Sequence, residues 1–248
     1  TVTLVSDADA TVTTSDLNVK TGSGNDTVSI TASSWTSDTA GSQIIVDTGS
    51  GNDAVTISGY DLAAEAASLS FTVDLGAGAD TLTMTGTNGA GVLAYGLLTV
   101  NEGDSLTATR DKITGFDVGD DTNYASGFDF DGNSTVGTLG TTVDAGVIMS
   151  HDTVTAGVVR FDDISTYAAE LIINSSNLAD AIAYLVANSA ALETFAFEYD
   201  SNNNGANDAT MIWNNGTTTD SIVELVGVTS VDALIVSAGK GANDILVD

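Results

Sequence analysis

The sequence contains no cysteine and no proline, and only five of its 248 residues carry a positive charge. Without cysteine, disulfide bonds and thiolate metal sites are excluded. The five basic residues stand against 34 acidic ones, which gives a formal net charge of −29. This balance argues strongly against nucleic-acid binding, because contacts to phosphate need Lys and Arg side chains. The basic residues are Lys20, Arg110, Lys112, Arg160 and Lys240.

Catalytic patterns are equally scarce. The one histidine, His151, lies between Ser150 and Asp152, but neighbours in sequence do not make a catalytic triad. The sequence has neither an HExxH motif nor a His/Cys zinc cluster. Lyases that act on acidic sugars need basic residues to bind substrate carboxylates, and no single carboxylate pair for glycoside hydrolysis stands out among the 34 acids. We therefore expect that the protein is not an enzyme.

Long hydrophobic runs are also missing. No apolar stretch approaches the roughly 18 residues of a membrane-spanning helix, and no basic-plus-apolar signal opens the chain. Yet 42% of the residues are hydrophobic, which is too many for a disordered acidic tail. The composition predicts a folded, exported surface protein that needs counter-ions to relieve its self-repulsion. Because the chain opens on Thr1 rather than methionine, we expect a processed or excised piece.

One short motif recurs at a fixed interval near the start of the chain. Its three copies are TGSGNDTVSI (21–30), TGSGNDAVTI (48–57) and LGAGADTLTM (75–84). Their aspartates, Asp26, Asp53 and Asp80, are 27 residues apart each time. A strict period of this length predicts a solenoid. The alternating apolar residues after each motif, such as Val28 and Ile30, are typical of strands with one buried face.

The turn within each motif has the composition of a cation site. Its two glycines permit positive φ and bring backbone carbonyls together, and the aspartate adds a carboxylate. Such oxygens suit Ca²⁺, which accepts six to eight of them. Stacked repeats would place the aspartates about 4.7–4.9 Å apart, where like charges repel without a cation. Asp and Gly as ordinary turn formers explain one copy, but not three in register. The predicted ligands are Gly22, Gly24, Asp26, Gly49, Gly51, Asp53, Gly76, Gly78 and Asp80, with Asp47 and Asp74 at the ends of the preceding strands.

The motif resembles the nonapeptide repeat of RTX proteins, Gly-Gly-x-Gly-x-Asp followed by any residue and a large apolar one. Gly22, Gly24, Asp26 and Val28 match the second Gly, the third Gly, the Asp and the apolar position, and the later copies match in the same way. The first Gly is replaced in each copy, by Thr21, Thr48 and Leu75. A further 18 residues separate the copies. The resemblance therefore implies wide repeats with one calcium edge rather than a tight β-roll.

A fourth turn, NEGDSL, is degenerate. Its Asp104 follows Asp80 by 24 residues instead of 27, and Leu106 takes the apolar position. We interpret this turn as the end of the regular array, with Asp104 as a further calcium ligand.

The next segment, RDKITGFDVGDD at residues 110–121, resembles the one that closes the array in many type I-secreted RTX proteins. The resemblance implies that Asp111 and Asp117 extend the calcium edge. It also implies that Ile113 and Phe116 cap the open hydrophobic end. Asp-rich turns without bound ions are the alternative interpretation.

Residues 122–248 read as a second unit of mixed α and β structure, after a calcium-binding solenoid of residues 1–121. Apolar residues at helical spacing predict a helix at 177–191. Strands are predicted at 194–199, 210–213, 221–226 and 228–236. This order of elements resembles the C-terminal region of RTX-type S-layer proteins and adhesins, which lies beside an uncleaved secretion signal.

Two loops of the second unit carry further oxygen ligands. DSNNNGAND, residues 200–208, has oxygen-bearing side chains and Gly205 placed as in the first part of an EF-hand loop. Position 12 of that pattern is Met211 rather than a bidentate Glu, so a weak hydrated calcium site and a plain hairpin turn both stand. The predicted ligands of this loop are Asp200, Asn202, Asn204 and Asp208. GKGAND, residues 239–244, is either a lone half-site or a turn former.

The sequence thus predicts a mainly β protein, with an RTX-like right-handed parallel β-solenoid of 27-residue repeats followed by a small α/β unit. The predicted function is a secreted, Ca²⁺-dependent structural protein of the bacterial cell surface, an S-layer, filament or matrix subunit exported by type I secretion. The alternative is the C-terminal calcium-folding and export module of a larger adhesin or secreted enzyme. Further copies of the chain are the expected partners. Cell-surface polysaccharide is a second expected partner, since Trp35, Tyr60 and Trp213 could stack on sugars if they are exposed. Packing of these aromatic side chains in a core or an interface is the default expectation.

Overall fold

The computed structural model describes residues 1–5, 17–31, 43–61, 70–87, 95–116, 118, 126–130, 134–140, 142–236 and 244–248. Within them the chain is mainly β, with eighteen strands and one helix. The first ten strands are β1 (Val2–Val5), β2 (Leu17–Lys20), β3 (Thr27–Thr31), β4 (Gln43–Asp47), β5 (Ala54–Asp61), β6 (Ser70–Asp74), β7 (Thr81–Thr87), β8 (Tyr95–Val100), β9 (Asp111–Thr114) and β10 (Ser126–Phe130). The remaining elements are β11 (Thr135–Val136), β12 (Ser150–His151), β13 (Phe161–Asp162), α1 (Leu178–Asn188), β14 (Glu193–Tyr199), β15 (Ala209–Asn214), β16 (Ser221–Val226), β17 (Leu234–Val236) and β18 (Ile245–Val247).

Two sheets of parallel strands contain the repeats. Strands β1, β3, β5, β7 and β9 lie side by side in sheet 1, and β2, β4, β6, β8 and β10 lie side by side in sheet 2. In sheet 1, Val28 lies opposite Val55, and Val55 lies opposite Leu82. In sheet 2, Val46 lies opposite Val73 in the same way. The 27-residue period of the sequence is therefore the register of β3, β5 and β7 in sheet 1 and of β2, β4 and β6 in sheet 2.

Alternation of apolar and polar residues creates one core between the two sheets. In β3 the side chains of Val28 and Ile30 are buried, whereas Thr27 is exposed. Because successive side chains of a strand point to opposite faces, every repeat sends its apolar residues into the same interior. This core is continuous from Val19 near the start of the chain to Val247 near its end.

Strands from the later part of the chain continue both sheets. In sheet 1, β16 pairs in parallel with β9, and the antiparallel strands β15 and β14 follow. In sheet 2, β18 lies between β10 and β17 and is antiparallel to both. In both sheets, antiparallel strands therefore follow the parallel ones, beyond β16 in sheet 1 and beyond β10 in sheet 2. Residue 121 lies outside the described residues, so the domain boundary there stays a prediction.

A second core lies against β14, β15 and β16. Phe195, Trp213 and Ile222 pack there with Leu178 and Leu185 of α1. The predicted helix is thereby confirmed, as are the strands predicted at 194–199, 210–213 and 221–226. Among the described residues, no helix has the length and hydrophobicity needed to cross a membrane.

One sequence prediction for this region needs correction, and the default expectation that Trp213 packs in a core is confirmed. Of the strand predicted at 228–236, only Leu234–Val236 forms, and Val228 and Val231 enter the core from the connection that precedes it. Trp213 is fully buried, so its ring packs in the core and is closed to sugars. Trp35 and the side chain of Tyr60 lie outside the described residues.

The turns of the repeats stack as closely as the strands. Gly49 has a φ of +88° and Gly76 a φ of +71°, a backbone region in which glycine carries no steric penalty. A Cβ atom on Gly49 would lie 1.9 Å from the carbonyl oxygen of Gly22. One on Gly76 would lie 1.7 Å from that of Gly49. Glycine is therefore required at these positions by both conformation and space.

We expect Gly49→Ala to lower the free energy of unfolding by more than about 3 kcal/mol, because a backbone clash adds to the strain of positive φ. Gly205→Ala is a matched control, since Gly205 also has a φ of +88° but no neighbouring atom within 4 Å of an added Cβ. The control should lose only about 1–2 kcal/mol, the cost of the conformation itself. Urea unfolding of both variants measures the difference, and equal losses would show that the turns are not tightly stacked.

Candidate cation site at the stacked turns

The aspartates of the turns are hydrogen-bonded from one repeat to the next. The backbone N–H of Asp26 donates to Oδ1 of Asp53 at 2.7 Å. The N–H of Asp53 donates in turn to Oδ1 of Asp80 at 2.6 Å, and that of Asp80 to Oδ1 of Asp111 at 3.0 Å. These four residues form the carboxylate row. The stacking predicted for Asp26, Asp53 and Asp80 is confirmed by these contacts.

The fourth member of the row is Asp111, which follows Asp80 by 31 residues. The N–H of Lys112 donates to the carbonyl oxygen of Asp80 at 2.9 Å, the same contact that Thr81 makes to Asp53. The segment that follows Asp104 therefore adds residues before the pattern resumes. An Asp-x-apolar triplet at Asp111 repeats that of the earlier turns, so Asp111 extends the row of aspartates as the resemblance implied. Asp104, which the sequence analysis placed in the fourth turn, does not take that position.

The prediction that Leu106 takes the apolar position of the fourth turn is wrong. Leu106 is 38% exposed and forms a small bridge with Thr109 instead. Ile113 takes the position, because β9 pairs with β7 so that Ile113 lies opposite Leu82. Ile113 and Phe116 are both buried in the first core. The expectation that Ile113 caps an open hydrophobic end is wrong, because β16 continues sheet 1 beyond β9.

A row of asparagines, which sequence reasoning missed, runs beside the carboxylates on the exposed side of the turns. Oδ1 of Asn25 accepts the N–H of Asn52 at 2.9 Å, and Oδ1 of Asn52 accepts the N–H of Ala79 at 3.2 Å. The side-chain oxygen of each asparagine therefore accepts an N–H of the following repeat, whereas the carboxylate of each aspartate accepts an N–H of the preceding repeat. Side chains thus satisfy turn N–H groups that the sheets leave unpaired. The Asn-Asp pair shared by the first two copies was the available signal.

The turn glycines bond to neighbouring turns through their backbone groups. The carbonyl oxygen of Gly22 accepts the N–H of Ser50 at 2.8 Å, and that of Gly49 accepts the N–H of Ala77 at 2.9 Å. Each bond uses one of the two lone pairs that a carbonyl oxygen offers. Three of the other four predicted glycine ligands, Gly24, Gly51 and Gly78, donate their N–H groups to carbonyl oxygens of adjacent turns. The fourth, Gly76, donates its N–H to Oδ1 of Asp74.

Burial makes the carboxylate row electrostatically costly. Asp53 and Asp80 are 2% and 1% exposed, and Asp111 is 2% exposed. Oδ2 of Asp53 and Oδ2 of Asp80 are buried and have no hydrogen-bond partner among the described residues. A buried carboxylate oxygen without a partner favours uptake of a proton or a cation.

The pKa values of the row respond to this burial. Burial raises the pKa of Asp80 from 3.8 to about 6, and the charge of Asp53 adds to the rise. Burial also raises the pKa of Asp111 to about 8, with contributions from the charges of Asp80 and Asp104. The end of the row is therefore where a positive charge is needed most.

The strand-end aspartates Asp47 and Asp74 lie beside the row. Asp47 forms an ion pair with Lys20. Oδ1 of Asp74 accepts the N–H of Gly76 at 3.0 Å. The pKa of Asp74 is raised, first by burial and then by the charges of Asp104 and Asp47. Asp47 thus has a cationic partner, whereas none of the described ion pairs involves Asp74.

The charge of Asp104 acts on both the strand-end aspartates and the carboxylate row. Its charge contributes to the raised pKa values of Asp74, Asp80 and Asp111, while its own Oδ2 accepts the N–H of Asn101 at 3.0 Å. In the part of the chain that the structure describes, no three His, Cys, Asp or Glu side chains converge as a complete metal centre. A cation beside the row would need carbonyl, hydroxyl or water oxygens to complete its shell.

The predicted loop site at residues 200–208 is organised by its own hydrogen bonds. Oδ1 of Asp200 accepts the N–H of Asn204 at 3.0 Å, and Oδ2 accepts the N–H of Gly205 at 2.7 Å. Asp208 accepts the N–H of Ser201 at 2.7 Å and the side-chain amide of Asn202. These contacts describe a hairpin loop closed by side chains. Asp117, the remaining predicted ligand, lies outside the described residues.

Without divalent cations, the protein should lose stability as the pH rises from about 4 to about 8. Asp80 and Asp111 have folded-state pKa values above the ordinary 3.8, so the folded state binds more protons than the unfolded state in this window. Linkage then makes the free energy of unfolding fall with increasing pH. Asp80→Asn, which retains an oxygen for the N–H of Asp53, should flatten the profile.

Thermal unfolding in EDTA at several pH values measures this effect. Asp163→Asn is the control, because Asp163 is exposed and lies outside the row, and it should leave the slope unchanged. A stability that rises between pH 5 and pH 8 would contradict the electrostatic description of the row.

Comparison of the chain with protein-family models, with curated proteins and with solved structures finds no match. The resemblance to RTX proteins therefore rests on the sequence patterns described above alone. Function has to be inferred from the geometry of the carboxylate row and its surroundings.

Proposed function

We propose that the chain is a secreted, calcium-dependent structural protein of a bacterial cell surface, such as an S-layer, filament or matrix subunit. The observation that carries the proposal is the carboxylate row, in which two buried oxygens, Oδ2 of Asp53 and Oδ2 of Asp80, have no partner among the described residues. A protein that aligns like charges in its interior needs a counter-charge there.

The described basic side chains do not supply that counter-charge. Lys20 pairs with Asp47, and Arg160 pairs with Glu170. Arg110 and Lys112 both pair with Glu224. Each of these cations therefore has a carboxylate outside the row. The positive charge that the row needs is proposed to come from solution.

Ca²⁺ fits this requirement better than other common ions. The donors at the row are carboxylate, carbonyl and hydroxyl oxygens, and the chain has no cysteine. Ca²⁺ accepts six to eight oxygens in flexible geometry, whereas Mg²⁺ demands a near-ideal octahedron. The residues proposed to hold it are Asp53, Asp80 and Asp111, with Asp74 and Asp104 beside them. When bound, it would neutralise the row.

We further propose that the two parallel sheets are the walls of a right-handed β-solenoid in which each 27-residue repeat is one turn. The common register of both sheets supports this form, as do the hydrogen bonds between successive turns. In such a stack each repeat contacts its neighbours only, so the stability of the array depends on every interface between repeats. Neutralising the row would strengthen each of these interfaces.

Calcium dependence would fit export of the chain. At low calcium the repulsion along the row opposes folding, so an acidic chain of net charge −29 can pass through a type I export channel unfolded. At higher calcium outside the cell, binding to the folded state alone would stabilise it. The same logic supports the alternative, a C-terminal folding and export module of a larger adhesin or enzyme. The antiparallel strands that follow the stack, including β18 at the C-terminal end, favour that reading equally.

We expect millimolar Ca²⁺ to raise the thermal unfolding midpoint well above its value in EDTA, because the ion binds the folded row and not the unfolded chain. Asp80→Asn should reduce this rise, whereas the exposed-site control Asp163→Asn should not. In EDTA, Asp80→Asn should be at least as stable as the parent, because it removes a buried negative charge.

Circular dichroism melts and calorimetric titration make these measurements, with Mg²⁺ as the ion control. Identical melts in EDTA and Ca²⁺, together with no heat of calcium binding, would rule out the proposed function.

A structural subunit should also assemble. In the described residues, β1 and β2 are the outermost strands of their sheets, and exposed edges readily pair with other strands. We expect calcium to convert the purified protein from monomers into larger assemblies. Sedimentation and electron microscopy would detect this change. A chain that folds on calcium but stays monomeric at every concentration would favour the export module over the scaffold.

A further inference from the structure

The carboxylate row ends in an unusual way. Within the row, the N–H group of each aspartate donates to a carboxylate of the following repeat. The last N–H group, that of Asp111, donates instead to the hydroxyl oxygen of Ser105 at 2.7 Å. Ser105 is only six residues away in sequence, so the chain folds back to supply the final acceptor itself.

The hydroxyl group of Ser105 both accepts and donates a hydrogen bond. Its oxygen accepts the N–H of Asp111, and its proton is donated to the carbonyl oxygen of Ile222 at 2.5 Å. The N–H of Ile222 donates back to the carbonyl oxygen of Ser105 at 3.0 Å. Ser105 is completely buried, so water does not replace these contacts. A serine can donate one hydrogen bond and accept others, which is what this position requires.

A neutral acceptor also suits the charge at this point. The pKa of Asp111 is already raised by burial and by the charges of Asp80 and Asp104. A fifth carboxylate in the position of the Ser105 hydroxyl would place another buried negative charge against this group. Ser105 satisfies the last N–H without adding charge.

The contact also connects the row to sheet 1 beyond the repeats. Ile222 belongs to β16, whose next residue, Val223, lies opposite Asp111. Close by, the buried carboxylate of Glu224 in β16 binds Lys112 of β9 at 3.3 Å and Arg110, the residue before β9, at 2.6 Å. The residues on both sides of Asp111 are therefore tied to β16, and Ser105 ties Asp111 itself.

We propose that Ser105 is a positioning residue that ends the carboxylate row and fixes the carboxylate of Asp111 against Asp80. The calcium part of this inference rests on the proposed function, because a fixed Asp111 completes the last cation position of the row. The structural part is independent of calcium. Loss of the hydroxyl leaves the N–H of Asp111 and the carbonyl oxygen of Ile222 buried without partners, and the end of the row loosens.

Ser105→Ala tests the proposal against a matched control, Ser150→Ala. Ser150 is also buried, and its hydroxyl donates to the carbonyl oxygen of Ile164 at 2.6 Å, away from the row. Both variants should lower the unfolding midpoint, because each loses a buried hydrogen bond. Only Ser105→Ala should speed hydrogen exchange at the amides of Asp111 and Asp80, measured in EDTA. Only Ser105→Ala should weaken calcium binding, by about fivefold to tenfold, the change that one lost hydrogen bond gives.

The outcomes separate this inference from the proposed function. Unchanged exchange at Asp111 and Asp80 in Ser105→Ala overturns the positioning role, whatever calcium does. Faster exchange in Ser105→Ala, together with no calcium binding by the parent protein, supports the positioning role and contradicts the proposed function. If Ser105→Ala does not fold, Ser105→Cys replaces the oxygen with a weak sulfur acceptor of similar size. Amide exchange at Asp111 in that variant should then lie above the parent value, and exchange equal to the parent overturns the proposal.

Discussion

The stack depends on a hydrogen bond between the N–H of an aspartate in one turn and the carboxylate of the aspartate in the next. The bond satisfies the turn backbone and sets the register, but it also brings the carboxylates into the interior. One oxygen of each carboxylate gains a partner, whereas the second oxygens of Asp53 and Asp80 do not. The interaction that aligns the repeats is therefore also the source of their electrostatic cost, and a counter-charge would relieve it.

Glycine makes this arrangement possible. Stacked turns bring Gly49 so close to Gly22 that no side chain fits between them, and only such close stacking lets each carboxylate reach the preceding turn. The rest of the composition agrees with this design, because the described basic side chains are all paired outside the row. None of the described basic side chains pairs with the row, so we propose that the stabilising charge comes from solution. The stability of the protein would then depend on its ionic surroundings.

Local and periodic features were predictable from the sequence, and features set by distant contacts were not. The period of Asp26, Asp53 and Asp80 gave the strand register, because each repeat adds the same number of residues. The period did not give the place of Asp111, since the connection before it is longer than in the other repeats, and only the resemblance to RTX proteins pointed to it. The roles of the glycine carbonyls and of Asp200 were also ambiguous, because the sequence does not distinguish an oxygen that accepts an N–H from one that binds an ion. The pairing of β16 with β9 joins residues far apart in the chain, beyond the reach of any periodic pattern. Calcium binding itself stays a prediction.

The most direct test is a crystal structure of the protein grown in millimolar Ca²⁺, with an anomalous difference map calculated around the carboxylate row. The account predicts a calcium peak within about 2.3–2.6 Å of Oδ2 of Asp80, with a neighbouring carboxylate of the row among its ligands. An ordered row with no such peak, and with Oδ2 of Asp80 within hydrogen-bonding distance of a protonated Asp111, would contradict it. The row would then be held together by a shared proton instead of a cation.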